Sequence, residues 1–266
     1  MSIENDKMQK AIRNNMIQFL LTICKSNPEL EFVCDHSFTR VRSDVPHPML
    51  NRVLKTEGVP YNELQEFVLN TVDLYKQKSL PLMWLNWSIN ESPELVSILN
   101  DSGFEKVGSM PGMAMEIKGI AYDKNETPGF EIKSVFDEND FGSFIETITS
   151  SFSLPDLLVK SIQKQFANIG FNESSPIRHY IGYLNGVPVS TVTSFRHGDT
   201  IGIYNVAAVE NVRGRGIGRM MTMHPLLIEK EKGCSAAILH SSVLGYNLYK
   251  EIGFKDYVDI DLYLLR

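Results

Sequence analysis

Residues 203–219 read Ile203-Tyr204-Asn205-Val206-Ala207-Ala208-Val209-Glu210-Asn211-Val212-Arg213-Gly214-Arg215-Gly216-Ile217-Gly218-Arg219. An unbroken β-prone run passes into a loop that alternates glycine with arginine. The loop opens a helix whose expected inward positions are Ile217, Met220, Met221, Leu227 and Ile228, with Gly233 as its stop. Strand, glycine-rich loop and helix together make a cradle for a pyrophosphate. Glycines admit a close backbone, consecutive N–H groups converge, and the helix start adds partial positive charge. A tight turn with basic solubilising side chains is the other reading of the same residues. A dinucleotide fingerprint does not fit, because the spacing is G-x-G-x-G and the preceding strand closes an antiparallel meander. No Gly-Lys-Ser/Thr follows, so a Walker loop does not fit either.

Working outward, the hairpin signature Leu184-Asn185-Gly186-Val187 joins strands 180–184 and 187–195, and His197-Gly198-Asp199 turns the chain into the strand ending at Val209. Upstream, 130–135 alternates as a strand, and 138–168 carries helices broken at Leu154-Pro155. Downstream come a buried strand at 236–239, a helix over 246–252 closed by Gly253-Phe254, and an alternating strand over 257–265. In the first half, Met8, Ile12, Met16, Phe19, Leu20 and Ile23 mark a helix, 61–77 a second and 82–87 a strand. A third helix starts at Ser92-Pro93 and ends at Gly103-Phe104, before a strand at 114–117. The stretch His36 to Arg52 reads as irregular, with Arg40, Arg42 and His47 as candidate groove residues.

The polar segment 122–129 lacks any apolar period and is the expected linker between domains 1–121 and 130–266. The order helix, strand, helix, Gly-Phe, strand recurs on both sides of it, which predicts a tandem duplication. A fragment beginning near residue 125 is expected to stand alone and to keep the whole loop.

The chain has 266 residues, 43% of them hydrophobic, and 26 Lys plus Arg against 32 Asp plus Glu leave a charge of −6. Bulk attraction to nucleic acid or to an anionic membrane is disfavoured, including an RGG-like use of Arg213, Arg215 and Arg219. Cys24, Cys34 and Cys234 have no metal-ligand spacing, so no metal is expected. No run reaches the ~18 apolar residues of a membrane span. A cytoplasmic setting is expected.

With these motifs in place, the sequence resembles the GNAT superfamily of N-acetyltransferases over about residues 130–266. Arg213, Gly216 and Gly218 match that family's cofactor motif, and Leu248-Tyr249-Lys250-Glu251-Ile252-Gly253-Phe254 is similar to its closing helix. The resemblance implies an α+β protein of two tandem GNAT-like domains, each a mixed, mostly antiparallel sheet flanked by helices. It implies acetyl-CoA as cosubstrate, held by backbone at Val206 and Ala208 and by N–H groups of Arg213, Gly214, Arg215, Gly216, Ile217, Gly218 and Arg219. It further implies an oxyanion donor near Ala207, Tyr249 as the acid, and an amine acceptor of unidentified class. His240 is the candidate base because imidazole titrates near neutrality. Core packing for Tyr249 and a structural role for His240 are the plainer readings. Ser242 stands where many relatives have a cofactor-contacting asparagine. Leu99 stands where the second repeat has Tyr249, and residues 40–75 hold no R-x-x-G-x-G, so the first domain is expected to be inert. A noncatalytic acyl-CoA sensor is the alternative from another class, and a monomer or homodimer the expected state.

Overall fold

The computed structural model describes residues 3–90, 92–121, 127–171 and 174–266. Residues 122–126 of the expected linker lie outside the described residues. In chain order the elements are α1 (Ile3–Lys25), β1 (Glu31–Cys34), β2 (Phe38–Arg42), β3 (Arg52–Thr56), α2 (Tyr61–Lys76), β4 (Leu82–Trp87), α3 (Pro93–Asp101) and β5 (Glu105–Glu116). They continue as β6 (Phe130–Ser134), α4 (Glu138–Phe152), α5 (Asp156–Ile169), β7 (Ile177–Leu184), β8 (Val187–His197), β9 (Thr200–Ala208), α6 (Ile217–Glu231), β10 (Ala236–His240), α7 (Tyr246–Ile252) and β11 (Lys255–Leu265).

The chain forms two compact units, and neither is one consecutive half. One comprises Met1–Ile23 and Gly112–Tyr257, the other Cys24–Pro111 and Val258–Arg266. The expected division at 122–129 is therefore corrected: α1 belongs with the C-terminal half, and the end of β11 with the N-terminal half. The cause is strand pairing. In the first unit β10 runs parallel to β9 on one side and antiparallel to Gly112–Glu116 of β5 on the other. In the second unit β3 and β4 are parallel, and β4 takes the end of β11 as its antiparallel neighbour. Each sheet is completed by a strand from the opposite half of the sequence.

The first unit has the strand order β5-β10-β9-β8-β7-β6 and is antiparallel except at β9/β10. One face of this sheet buries Ile201, Ile203, Ala237 and Leu239 against Ile217, Met220, Met221 and Leu226 of α6. The inward line of α6 steps by four residues through 217, 221, 225 and 229. It therefore passes through Pro225 and Glu229, which a search for apolar residues misses, while the expected Leu227 is only half-buried. The opposite face carries the aromatic side chains Phe19 of α1, Phe166 of α5 and Phe195 of β8, with the Phe19 ring stacked on Tyr204 at 4.2 Å.

In the second unit the segment read as irregular contains real strands. β1, β2 and β3 pair as an antiparallel meander. Charged residues at half-buried positions hide them from a search for apolar alternation. Arg40 and Arg42 both pair with Glu31 across the β1/β2 hairpin, so these arginines brace a sheet edge rather than line a groove. His47 accepts a hydrogen bond from the Met49 N–H in the turn before β3.

The exchange of strands argues against the expectation that residues 125–266 stand alone. That fragment retains the glycine-arginine loop but loses α1 and leaves one edge of β10 bare, and an unpaired apolar edge invites association. A 125–266 fragment is expected to lack the cooperative melting transition of the full chain when followed by circular dichroism. A transition within a few degrees of the full chain's would contradict the assignment.

Candidate functional site

β9 and β10 run together only as far as the pairs Ala236↔Thr200 through Leu239↔Ile203. Beyond that point β10 ends at His240 while β9 continues to Ala208, so the strands fork. The fork follows from one extra residue. Against β8 the register steps from Thr193↔Tyr204 to Thr191↔Ala207, which sets two residues of β9 opposite Val192 alone. Asn205 takes up the slack at φ 52°, the left-handed region, which asparagine tolerates better than β-branched residues do. It is held there from both ends. Its carbonyl accepts from Thr191 Oγ1 at 2.9 Å, and its Nδ2 donates to Thr193 Oγ1 at 3.1 Å. Thr193 Oγ1 also bonds Nδ1 of His179 at 2.8 Å. Burial among Phe141, Phe144 and Phe166 drives the His179 pKa down to about 3, so that ring stays neutral.

The bulge also resets which side chains face α6. Before it the odd residues Ile201 and Ile203 do so, and after it the even residues Val206 and Ala208 pack on that side. There they line a cleft of about 470 Å³ together with Ala207, Arg213, Gly214, Gly216, Ile217, Gly218, Arg219, Ser242 and Tyr249. These expected site residues from five separate stretches are thus brought into one wall. Arg215 is not in the lining, and its carbonyl instead accepts from Thr127 Oγ1 at 2.9 Å.

The floor of the cleft presents open backbone and a helix start. Gly214 and Gly216 have φ of 75° and 78°, and a Cβ on either would meet nothing within 4 Å, so the backbone lies open at the cleft. The first helical bond is Met220 N–H to Gly216 O at 3.1 Å, which leaves the N–H groups of Ile217, Gly218 and Arg219 without intrahelical acceptors. No acidic side chain stands in that first turn and no side chain caps it. Gly218 serves packing instead, since a Cβ there would lie 3.0 Å from Leu248 of α7. Arg213 folds back, its Nε donating to Ala208 O at 3.0 Å, and braces the loop against β9.

Tyr249 closes the cleft from α7. It is buried, and desolvation pushes its hydroxyl up to about 12, so the phenol stays protonated across any working pH and is a donor rather than a base. Its ring fills the space over Gly245, where a Cβ would come within 2.7 Å of it. Ser242 Oγ accepts from the Gly245 N–H at 3.2 Å and so shapes the same turn. His240 is absent from the lining. It is the last residue of β10, half-buried, and alternation from Leu239 turns it to the face away from α6, where its ring lies 6.2 Å from that of Tyr204. Sequence reading passed over Ser151, Phe152, Leu244 and Glu251, which also line the cleft. Glu251 lies within the closing-helix motif, whereas Ser151, Phe152 and Leu244 carry no local motif and only the fold brings them there. Cys234 is buried with its thiol pKa raised by burial, and it lies beside Glu229, outside the cleft.

No family model matches the sequence. Solved structures do. A GCN5-related N-acetyltransferase from Kribbella flavida superposes with a TM-score of 0.70 at 15% identity, over 95% of this chain and 94% of that one. A GCN5-related N-acetyltransferase from Sphaerobacter thermophilus gives 0.66 at 12% identity, over 87% and 82%. A tandem GNAT protein from the clavulanic acid biosynthesis pathway gives 0.63 at 8% identity, over 100% and 96%. At these identities the likeness establishes the fold, which is the tandem GNAT fold along the whole chain.

The bulge is open to direct test. Asn205→Gly keeps the left-handed backbone and loses the bond to Thr193, a cost of about 1 kcal/mol. Asn205→Val adds backbone strain of about 1–3 kcal/mol. Urea denaturation is expected to rank the chains wild type, Gly, Val in falling stability. A Val variant as stable as wild type would show that the bulge is not pinned by Asn205.

Proposed function

We propose that the chain is an N-acetyltransferase that moves an acetyl group from acetyl-CoA directly to an amine. The carrying observation is that a glycine-rich helix start with free N–H groups and a buried tyrosine hydroxyl share one cleft. The N–H groups of residues 217–219 suit the pyrophosphate, because they offer oriented donors and a positive helix end without a competing carboxylate. The backbone of Val206 and Ala208, turned toward the cleft by the bulge, suits the pantetheine arm. An amine attacking the thioester carbonyl forms the new C–N bond and expels the thiolate, with an N–H near Ala207 stabilising the developing oxyanion. Tyr249 supplies a proton to the departing sulfur.

The amine must lose a proton, and His240 is the proposed acceptor of it. It stands at the fork on the face opposite Tyr249, so one proton is taken on one side of the sheet and another given on the other. No covalent enzyme intermediate is required, and Cys234 takes no part. The acceptor is an amine, no nucleic acid or membrane is involved, the setting is cytoplasmic and the chain acts as a monomer or homodimer. No helix among the described residues is long and apolar enough to cross a membrane. The absence of His240 from the cleft lining favours one second reading, a noncatalytic acyl-CoA-binding module.

Two variants decide between these readings. Gly216→Asp puts a carboxylate at a position of φ 78° that now faces open space, where phosphate is proposed to sit. Calorimetric titration with acetyl-CoA is expected to lose binding in this variant, and wild-type affinity would refute the cleft assignment. Tyr249→Phe keeps the ring packed over Gly245 and removes the acid. Turnover at saturating acetyl-CoA and amine, read as thiol release, is expected to fall by roughly 10²- to 10⁴-fold with affinity and melting unchanged. Full turnover in the Phe variant would remove Tyr249 from the chemistry. A wild-type protein that binds acetyl-CoA and acetylates no amine in a broad panel would establish the module.

A further inference from the structure

The far end of α6 from the acyl-CoA cleft borders another cavity in the same unit. It has a volume of about 410 Å³, and its wall includes Arg178, Ser194, Arg196, Glu229 and Lys232. Register explains how they meet. Arg178 and Ser194 are directly paired across β7 and β8, and Arg196 lies two residues further along β8 on the same face. That face is the one covered by α6, since Tyr180 of β7 and Val192 of β8 share its core. The last turn of α6 brings Glu229, and its C-cap is Lys232.

The charges do not cancel. Glu229 is buried, and its carboxylate is held by Lys232 Nζ at 2.8 Å and Arg196 Nη1 at 3.3 Å. Arg196 also donates to the carbonyls of Gly198 and Lys232, which offsets the negative end of the helix. Asp199, next to the wall, points its carboxylate at Ser235 Oγ 2.7 Å away. Arg178 has no carboxylate partner among the described residues, although it stands over a largely apolar core. Among the described residues of the wall, three cations against one carboxylate leave two positive charges. Beside Arg178 and Ser194, the fully buried Tyr180 hydroxyl has no hydrogen-bond partner of good geometry among the described residues. At the wall, an arginine without a carboxylate partner among the described residues stands with a buried serine, and the Tyr180 hydroxyl lies behind them, a donor set that lacks an anionic acceptor.

We propose that this cavity is a second anion site that binds the phosphate of a small phosphomonoester, with Arg178 as its principal ligand. A phosphate dianion matches the residual charge and accepts from guanidinium and hydroxyl donors together. The cavity is larger than phosphate alone, so an organic substituent fits beside it. The site is independent of the acyl-CoA cleft and of the proposed transferase reaction.

The test uses the full chain with inorganic phosphate and phenyl phosphate as probes, at fixed ionic strength, read by calorimetry and by thermal shift. Both are expected to bind saturably, phenyl phosphate the more tightly. Arg178→Gln is expected to weaken binding by about tenfold or more, the loss of one charged hydrogen-bonding partner. Gly216→Asp, which disables the acyl-CoA cleft, is expected to leave phosphate binding intact. Should Arg178→Gln melt below the assay temperature, Lys232→Gln at the exposed rim is expected to weaken binding in its place. No saturable binding to the wild type would overturn the proposal. Binding that survives Arg178→Gln or Lys232→Gln but is lost in Gly216→Asp would overturn it too, since phosphate would then be occupying the acyl-CoA cleft.

Discussion

The position of Asn205 is the constraint on which the candidate site rests. Without an extra residue in β9, the strand would continue beside β10 in regular register and odd residues would go on facing α6. Inserting one residue lets β9 diverge and turns Val206 and Ala208 toward the cleft. Such an insertion is costly in isolation, because it leaves backbone groups unpaired and puts a residue with a Cβ at positive φ. Here Thr191 satisfies the Asn205 carbonyl and Thr193 its side chain. The ring of His179 anchors Thr193 within a cage of three phenylalanines. The fork is therefore built from the core outward by the protein's own groups.

The exchange of strands is the second constraint. A parallel pair such as β9/β10 needs a crossover helix between its members, which α6 supplies, and the outer edge of β10 must then be covered by something else. β5 covers it from the opposite half of the sequence, and β11 does the same service for β4. Many contacts thus join residues more than a hundred positions apart, such as Ala237 with Met115 and Tyr204 with Asn15. Closing such long loops costs entropy before the contacts reward it, so neither half is a natural folding unit.

Much of this was legible in the residues themselves. The hairpin at Asn185-Gly186, the loop at 213–218 and the Gly-Phe helix ends are local signals, and their chemistry is the same in any context. The helix α1 was equally visible, but its partner was not: Phe19 carries no mark that says it stacks on Tyr204. Strands β1 to β3 escaped because Arg40 and Arg42 break the apolar alternation, and only their pairing with Glu31 explains them. The same limit applies within the site. Tyr249 and the glycines announce themselves by motif, whereas Phe152 and Leu244 reach the cleft through folding alone. Glu229 was invisible for the opposite reason, since a charged residue at an inward helical position contradicts the pattern used to find the core.

The internal repeat shows how little separates the two strand-helix frames. Both halves of the sequence run strand, helix, parallel strand, helix, Gly-Phe, strand: β3-α2-β4-α3-β5 and β9-α6-β10-α7-β11. The helix ends match atom for atom. The Phe104 N–H donates to Leu99 O and the Phe254 N–H to Tyr249 O, both at 3.0 Å, with Gly103 and Gly253 at φ 92° and 118°. Leu99 and Tyr249 thus occupy one structural position, and only the second has a proton to give. At the other end, α6 begins after Gly216 with no acidic residue in its first turn, whereas α2 begins after Pro60 with Glu63 in that turn. A carboxylate at the positive helix end fills the field that a phosphate would use, and proline supplies neither the open backbone nor the N–H. The two halves of the sequence offer the same strand-helix frame, and they differ there by a glycine pair, one charge and one hydroxyl.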